Sequence, residues 1–155
     1  MAKQGRPRRR PVVLASGVFD LLHLGHVKFL EEAKRAGGRN ARLVVIIARD
    51  RTAKGTKRQT PIMSEDQRCV LVASLKVVDE AVLGFENLDI GKVIEKIKPD
   101  VIALGYDQKS MENTVREYIA AKNLPIKVVR IGKFSPDELD SSSKIKQKII
   151  EDYSR

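Results

Sequence analysis

A chain of 155 residues with 42% hydrophobic content can bury one core, and a net charge of +10 favours anionic partners. The single cysteine, Cys69, excludes an intrachain disulfide and a thiol-rich metal site. No run approaches the roughly 20 apolar residues of a membrane helix, and no apolar segment follows the basic start, so neither a membrane partner nor a secretory signal is expected. A cytoplasmic location is the default.

The chain opens with MAKQGRPRRR, which holds Lys3, Arg6, Arg8, Arg9 and Arg10 and no acid. With two nearby prolines and no apolar periodicity, residues 1–11 are expected to form a disordered basic tail ahead of one domain over 12–155. Such an arm could touch nucleic acid, but a solubilising role is the simpler reading, and nucleic acid is not an expected partner.

Short apolar runs rich in β-branched residues then recur at Val12–Ser16, Leu43–Ala48, Glu80–Leu83, Val101–Leu104 and Ile126–Arg130. Continuous runs of this kind suit strands buried on both faces of a parallel sheet. Helical patterns separate them. Leu24–Ala36 turns Val27, Phe29, Leu30 and Ala33 inward and ends at Gly37-Gly38. Ser64-Glu65-Asp66-Gln67 reads as a capping box opening a helix through Lys76. Asp89–Ile97, Ser110–Lys122 and Ser142–Tyr153 complete the set. Between the second strand and the capping box, ARDRTAKGTKRQTP is expected to be a mobile basic loop. The fold class is therefore α/β: a single Rossmann-like domain with a doubly wound, five-stranded parallel sheet.

In such sheets ligands bind beyond the carboxyl ends of the strands, where strand order reverses. The first strand runs directly into GVFDLLHLGH, which contains both histidines of the chain, His23 and His26, around Gly25. Three residues apart at the start of a helix, they share one face of its first turn, beside free backbone N–H groups. Lys28 follows, and the whole is a phosphate site. Neither a P-loop nor a GxGxxG occurs. A helix cap with one surface histidine is the plain alternative, and a zinc pair would need carboxylates to complete it. Asp20 could equally be an Asx-turn residue.

GVFDLLHLGH resembles the G-x-F-D…H-x-G-H motif of the cytidylyltransferase-like nucleotidylyltransferases. IIARD, PIMSEDQR, VVDEAVLG, IKPDVIALGYDQ and SSSKIKQKI follow in that family's usual order, so the resemblance covers about residues 12–150. Within the superfamily, IIARD with its basic loop and ALGYDQ are most similar to the archaeal FAD synthases. The resemblance implies transfer of AMP from ATP to the phosphate of FMN, in-line at the α-phosphorus, giving FAD and pyrophosphate.

The resemblance also implies roles. His23 and His26, assisted by Lys28, would hold the triphosphate and stabilise its developing charge. Val18 and Phe19 would lie against the nucleotide through their backbone, with Leu24 and Gly25 at the helix start. Asp107 would contact the nucleotide sugar or a metal, and Asp20 is a candidate ligand for Mg²⁺ or another divalent cation. Lys54 and Lys57, on a flap, and Arg68 are candidate phosphate contacts. Ser141, Ser142 and Ser143 would close a second helix N-terminus over the triphosphate. Phe134 and Tyr106 are the first candidates for a flavin wall, ahead of Phe85, Met111 and Tyr153. A homodimer is expected, through the VVDEAV region. Glycerol-3-phosphate cytidylyltransferases and sugar-phosphate nucleotidylyltransferases are the alternatives. The first usually carry an arginine shortly before the serine segment, where this chain has Pro136 and Asp137.

Overall fold

The computed structural model describes residues 8–57, 59–134 and 141–154, apart from the side chains at 56 and 57. Its strands are β1 (Val12–Gly17), β2 (Arg42–Ile47), β3 (Glu80–Leu83), β4 (Val101–Gly105) and β5 (Lys127–Ile131). They form one parallel sheet in the order β3-β2-β1-β4-β5. The chain winds outward from β1 through β2 to β3, then crosses back to β4. The reversal point therefore lies between β1 and β4, paired at Val13–Val101, Leu14–Ile102 and Ala15–Ala103.

Alternation along β1 explains its unbroken apolar run. Val13 and Ala15 face a core shared with Leu30 and Ala33 of α1 (Leu24–Ala36) and Val72 of α3 (Glu65–Ala73). Leu14 faces the opposite core, with Ile94 of α4 (Ile90–Ile97) and Val115 of α5 (Lys109–Lys122). Leu30 and Leu43 are fully buried, each contributing roughly 1.5–3 kcal/mol. Gly37 is required where α1 turns back, because a Cβ there would lie 2.4 Å from a Val13 methyl.

Three expectations are corrected. The basic segment after β2 contains a helix, α2 (Asp50–Lys57), rather than a loop. Its start and that of α3 cap each other. Glu65 accepts from the Asp50 N–H at 2.7 Å, while Asp50 accepts from the Glu65 N–H at 3.3 Å. Buried Ala53 anchors its inner face. Helix α3 stops at Ala73 instead of Lys76, because the Ser74 and Leu75 N–H groups turn back onto Leu71 and Val72. Arg9 and Arg10, assigned to a disordered tail, are seated at the amino end of the sheet. Arg9 pairs with Asp100 at 3.0 Å, and Arg10 donates to the carbonyls of Asn40 and Ala41. Residues 1–7 lie outside the described residues.

Candidate active site

β1 ends at Gly17, where a Cβ would come within 2.9 Å of the Phe19 ring. The chain then makes an unusual turn. Phe19 and Leu21 both adopt left-handed backbone conformations, with φ of 55° and 49°. Each costs on the order of 1–3 kcal/mol, so the surroundings must enforce them. Phe19 does so by burying its ring, 5.4 Å from His26 and 6.5 Å from Phe29.

Asp20, between the two strained residues, supplies the second restraint. It is 6% exposed, and its carboxylate accepts from the N–H groups of Ile62 at 2.7 Å and Met63 at 3.0 Å. The Lys146 ammonium approaches it to 3.8 Å. Each oxygen thus holds one loop N–H, which makes Asp20 a tie between two loops.

Arg68 is the third restraint and corrects an expectation. Its side chain is completely buried, which excludes the direct phosphate contact expected of it. It donates to the carbonyls of Val18 at 2.6 Å, Ala48 at 2.9 Å and Met63 at 3.0 Å, and to the Asp50 carboxylate at 2.5 Å. The fork geometry of a guanidinium suits this task, because one group reaches acceptors on several loops at once. Arg68 therefore couples the histidine loop, the end of β2 and the start of α2. The sequence carries no signal of this beyond a helix position that periodicity leaves ambiguous.

The histidines sit where the sequence places them. His23 is the N-cap of α1, and its Nδ1 accepts from the Gly25 N–H at 3.1 Å. The Nδ1 of His26 accepts from the His23 N–H at 3.3 Å. The two rings stack with centroids 3.8 Å apart. Because both Nδ1 atoms are acceptors, the neutral rings carry their protons on Nε2. Capping and function are thus the same arrangement: it fixes ring orientation and tautomer, and gives the pair two N–H donors beside a helix N-terminus. Such a group can bind and stabilise a phosphate.

The remaining candidates converge on this corner to different degrees. Ser141 caps α6 (Ser142–Tyr153) by accepting from the Lys144 N–H at 3.2 Å, and the Ser142 hydroxyl donates to the Asp20 carbonyl. A second helix N-terminus therefore abuts the histidine loop, with Ser143 exposed beside it. Lys28 pairs with Glu31 at 3.0 Å and lies 5.9 Å from the Phe134 ring centroid. Lys54 is exposed on α2. The Lys57 side chain lies outside the described residues.

Across the reversal point, Asp107 is exposed on the loop after β4. Its neighbour Gln108, the last residue of ALGYDQ and assigned no role there, accepts from the Gly105 N–H at 2.8 Å and donates to the Ser16 carbonyl at 3.4 Å. This amide stitches the two strand ends together. Glu112, equally inconspicuous in the sequence, is buried at the start of α5 and holds Arg130 at 2.7 Å and Arg116 at 3.0 Å. Hydrogen bonds from Arg130 and then Arg116 keep its carboxyl below the ordinary glutamate range. Tyr106, half exposed with Lys133 over its ring, shares this rim. Tyr153 does not, since it ends α6, and a helix of that length spans about 18 Å. Among the described residues, no three His, Cys, Asp or Glu side chains gather as a metal cage, and no helix is long and apolar enough to cross a membrane.

Known proteins resemble this chain in sequence and fold. The cytidylyltransferase-like family model matches residues 14–148. A protein of Methanothermobacter marburgensis named FAD synthase is 50% identical over 137 residues, covering 88% of this chain and 84% of its own. One of the same name from Ferroglobus placidus is 51% identical over 138 residues, covering 89% and 87%. A crystal structure from Thermoplasma volcanium, described as a lipopolysaccharide core biosynthesis protein, is 45% identical with a TM-score of 0.73. It covers 81% of this chain and 98% of its own.

Proposed function

Because the chain belongs to the cytidylyltransferase-like family, we propose that it is an FAD synthase, a nucleotidyltransferase that moves AMP from ATP to FMN. The observation that carries this reading is the stacked, capped histidine pair beside two helix N-termini. Relatives named FAD synthase, at 45–51% identity over most of their length, supply the substrates.

An oxygen of the FMN phosphate attacks the α-phosphorus of ATP. The new P–O bond forms as the bond to the β-phosphate breaks, and pyrophosphate leaves with the electron pair. No covalent enzyme intermediate is needed, so catalysis is positioning plus stabilisation of the equatorial oxygens. The Nε2–H groups of His23 and His26 stabilise that charge, and the backbone from Val18 to Gly25 faces the nucleotide. The N-terminus of α6, with Ser141, Ser142 and Ser143, receives the outer phosphates. Lys28, Lys54 and Lys57 offset charge on the leaving pyrophosphate. Asp107 takes the nucleotide sugar. A divalent cation enters as part of the magnesium complex of ATP, since the phosphates themselves supply hard oxygen ligands. The enzyme works in the cytoplasm as a dimer, through the edge strand β3 and the residues before it; sedimentation would show the mass of two chains.

A second reading keeps the fold and the nucleotidyl transfer and takes a sugar phosphate as acceptor. The test is to incubate the protein with magnesium, ATP or CTP, and in turn FMN, glycerol phosphate or a hexose phosphate. FAD with matching pyrophosphate from ATP and FMN supports the proposal. Pyrophosphate release with a sugar phosphate and none with FMN would replace it.

A further inference from the structure

The amino end of the sheet, opposite the histidine corner, carries charge that nucleotidyl transfer leaves unused. The chain enters the five strands through residues 8–12, 37–42, 74–80, 98–101 and 122–127, which together hold nine bases and three acids. Each acid is engaged. Asp79 takes Lys34 at 2.8 Å and Arg10 at 3.6 Å, Asp100 takes Arg9 at 3.0 Å, and Glu80 takes Arg42. Six bases remain: Arg8 before β1, Arg39 before β2, Lys76 before β3, Lys98 before β4, and Lys122 and Lys127 at the entry to β5. All six are exposed, and none has an ion-pair partner among the described residues.

We propose that this end of the sheet is a docking surface for the phosphate backbone of a nucleic acid. The inference stands apart from the FAD synthase reading. The charge of the basic tail alone does not call for such a partner; its placement does. Arg9 and Arg10 are pinned to the sheet, so Arg8 joins a row of bases that the other four strand entries continue. Five strands at about 4.8 Å spacing make that row roughly 19 Å wide, which suits an extended polyanion better than a single phosphate. A groove of about 1,000 Å³ between α1 and the residues before β3 adds Lys34 and Arg35 beside Arg39 and Lys76, with Glu31 as its one acid. A membrane surface would reward large apolar side chains among the bases, and none of the exposed ones lies on these strand entries. A protein partner would want an apolar or aromatic centre, whereas a nucleic-acid backbone is held by cations alone.

Binding would be measured by fluorescence anisotropy with a single-stranded RNA of about 20 nucleotides and, separately, a DNA duplex of about 20 base pairs. With four or more of the six bases engaged, affinity should fall roughly fiftyfold or more between about 50 and 200 mM salt. The double variant Arg39→Gln, Lys127→Gln removes one base from each side of the row and should weaken binding roughly 25- to 60-fold at about 100 mM salt. The double variant Lys92→Gln, Lys148→Gln makes the same change in net charge away from this end and should bind within about threefold of wild type. FAD formation should be unchanged in the first pair, because its residues stand at the opposite end of the sheet from the histidines. Tighter binding of either probe supports the proposal and identifies the kind of nucleic acid. Equal losses in the two double variants would overturn it, as would no binding of either probe at about 50 mM salt. Equally tight binding of polyglutamate would overturn it in favour of an acidic protein partner.

Discussion

Replacing Arg68 with methionine keeps an apolar stem but removes every donor of the buried guanidinium. Three carbonyls lose a partner: Val18, Ala48 and Met63, previously held at 2.6, 2.9 and 3.0 Å. An unsatisfied buried acceptor costs about 1–3 kcal/mol, and these residues are half-buried, so the lower end applies to each. Asp50 also loses its partner, but its side chain is 38% exposed and can turn to water. The sum is about 3 kcal/mol, which for a chain of this size lowers the melting temperature by about 6–12 °C. Arg68 also fixes the Val18 carbonyl beside left-handed Phe19, so residual folded protein should have lost alignment of the histidine loop. A displacement of about 1 Å can cost roughly a hundredfold in rate. Calorimetry and FAD formation on the same preparation test both parts. Arg68→Lys should fall between, because a point charge cannot reach all four acceptors. A methionine variant melting within about 2 °C of wild type at normal turnover would refute the reasoning.

Other outcomes follow from the same geometry. His26→Ala should lower turnover by roughly two decades while costing only about 1 kcal/mol of cap stability; paired kinetics and thermal melts would separate the two. Asp20→Asn sets an amide N–H₂ against one of the two loop N–H donors, and urea unfolding should show a loss of about 1–3 kcal/mol. Glu112, held below its ordinary range by Arg130 and Arg116, contributes stability that is full above the unfolded value of about 4.3 and is lost as pH falls through the folded value. Glu112→Gln should therefore be markedly less stable than wild type at pH 7, and the difference should shrink toward pH 3 in parallel denaturant melts.

The strands were legible because both faces of a central parallel sheet are buried, and unbroken runs such as VVLAS arise chiefly in that setting. The histidine corner was legible because a strand end, a glycine and two histidines at helical spacing occur together. Helix α2 was not, because its segment is basic, contains Gly55 and draws its stability from tertiary partners. The reciprocal bonds between Asp50 and Glu65 and the grip of Arg68 become visible only once α3 is folded beside it. The structural roles of Arg68 and Asp20 were not legible for one reason. Arginine and aspartate near a phosphate motif suggest ligand and metal contacts, and periodicity does not report that a charged group is wholly enclosed by backbone partners. Gln108 escaped for the same cause, being a neutral amide whose task is to bridge two loops 92 residues apart in sequence.

The central claim is that the histidine pair directs an α-phosphoryl transfer to FMN. It is tested most directly by following ATP labelled at the α-phosphate and, separately, at the γ-phosphate, with FMN and magnesium. The account predicts the α label in FAD and the γ label in pyrophosphate, both nearly abolished by His26→Ala. Label from the γ-phosphate appearing in a flavin, or undiminished α transfer by His26→Ala, would contradict it.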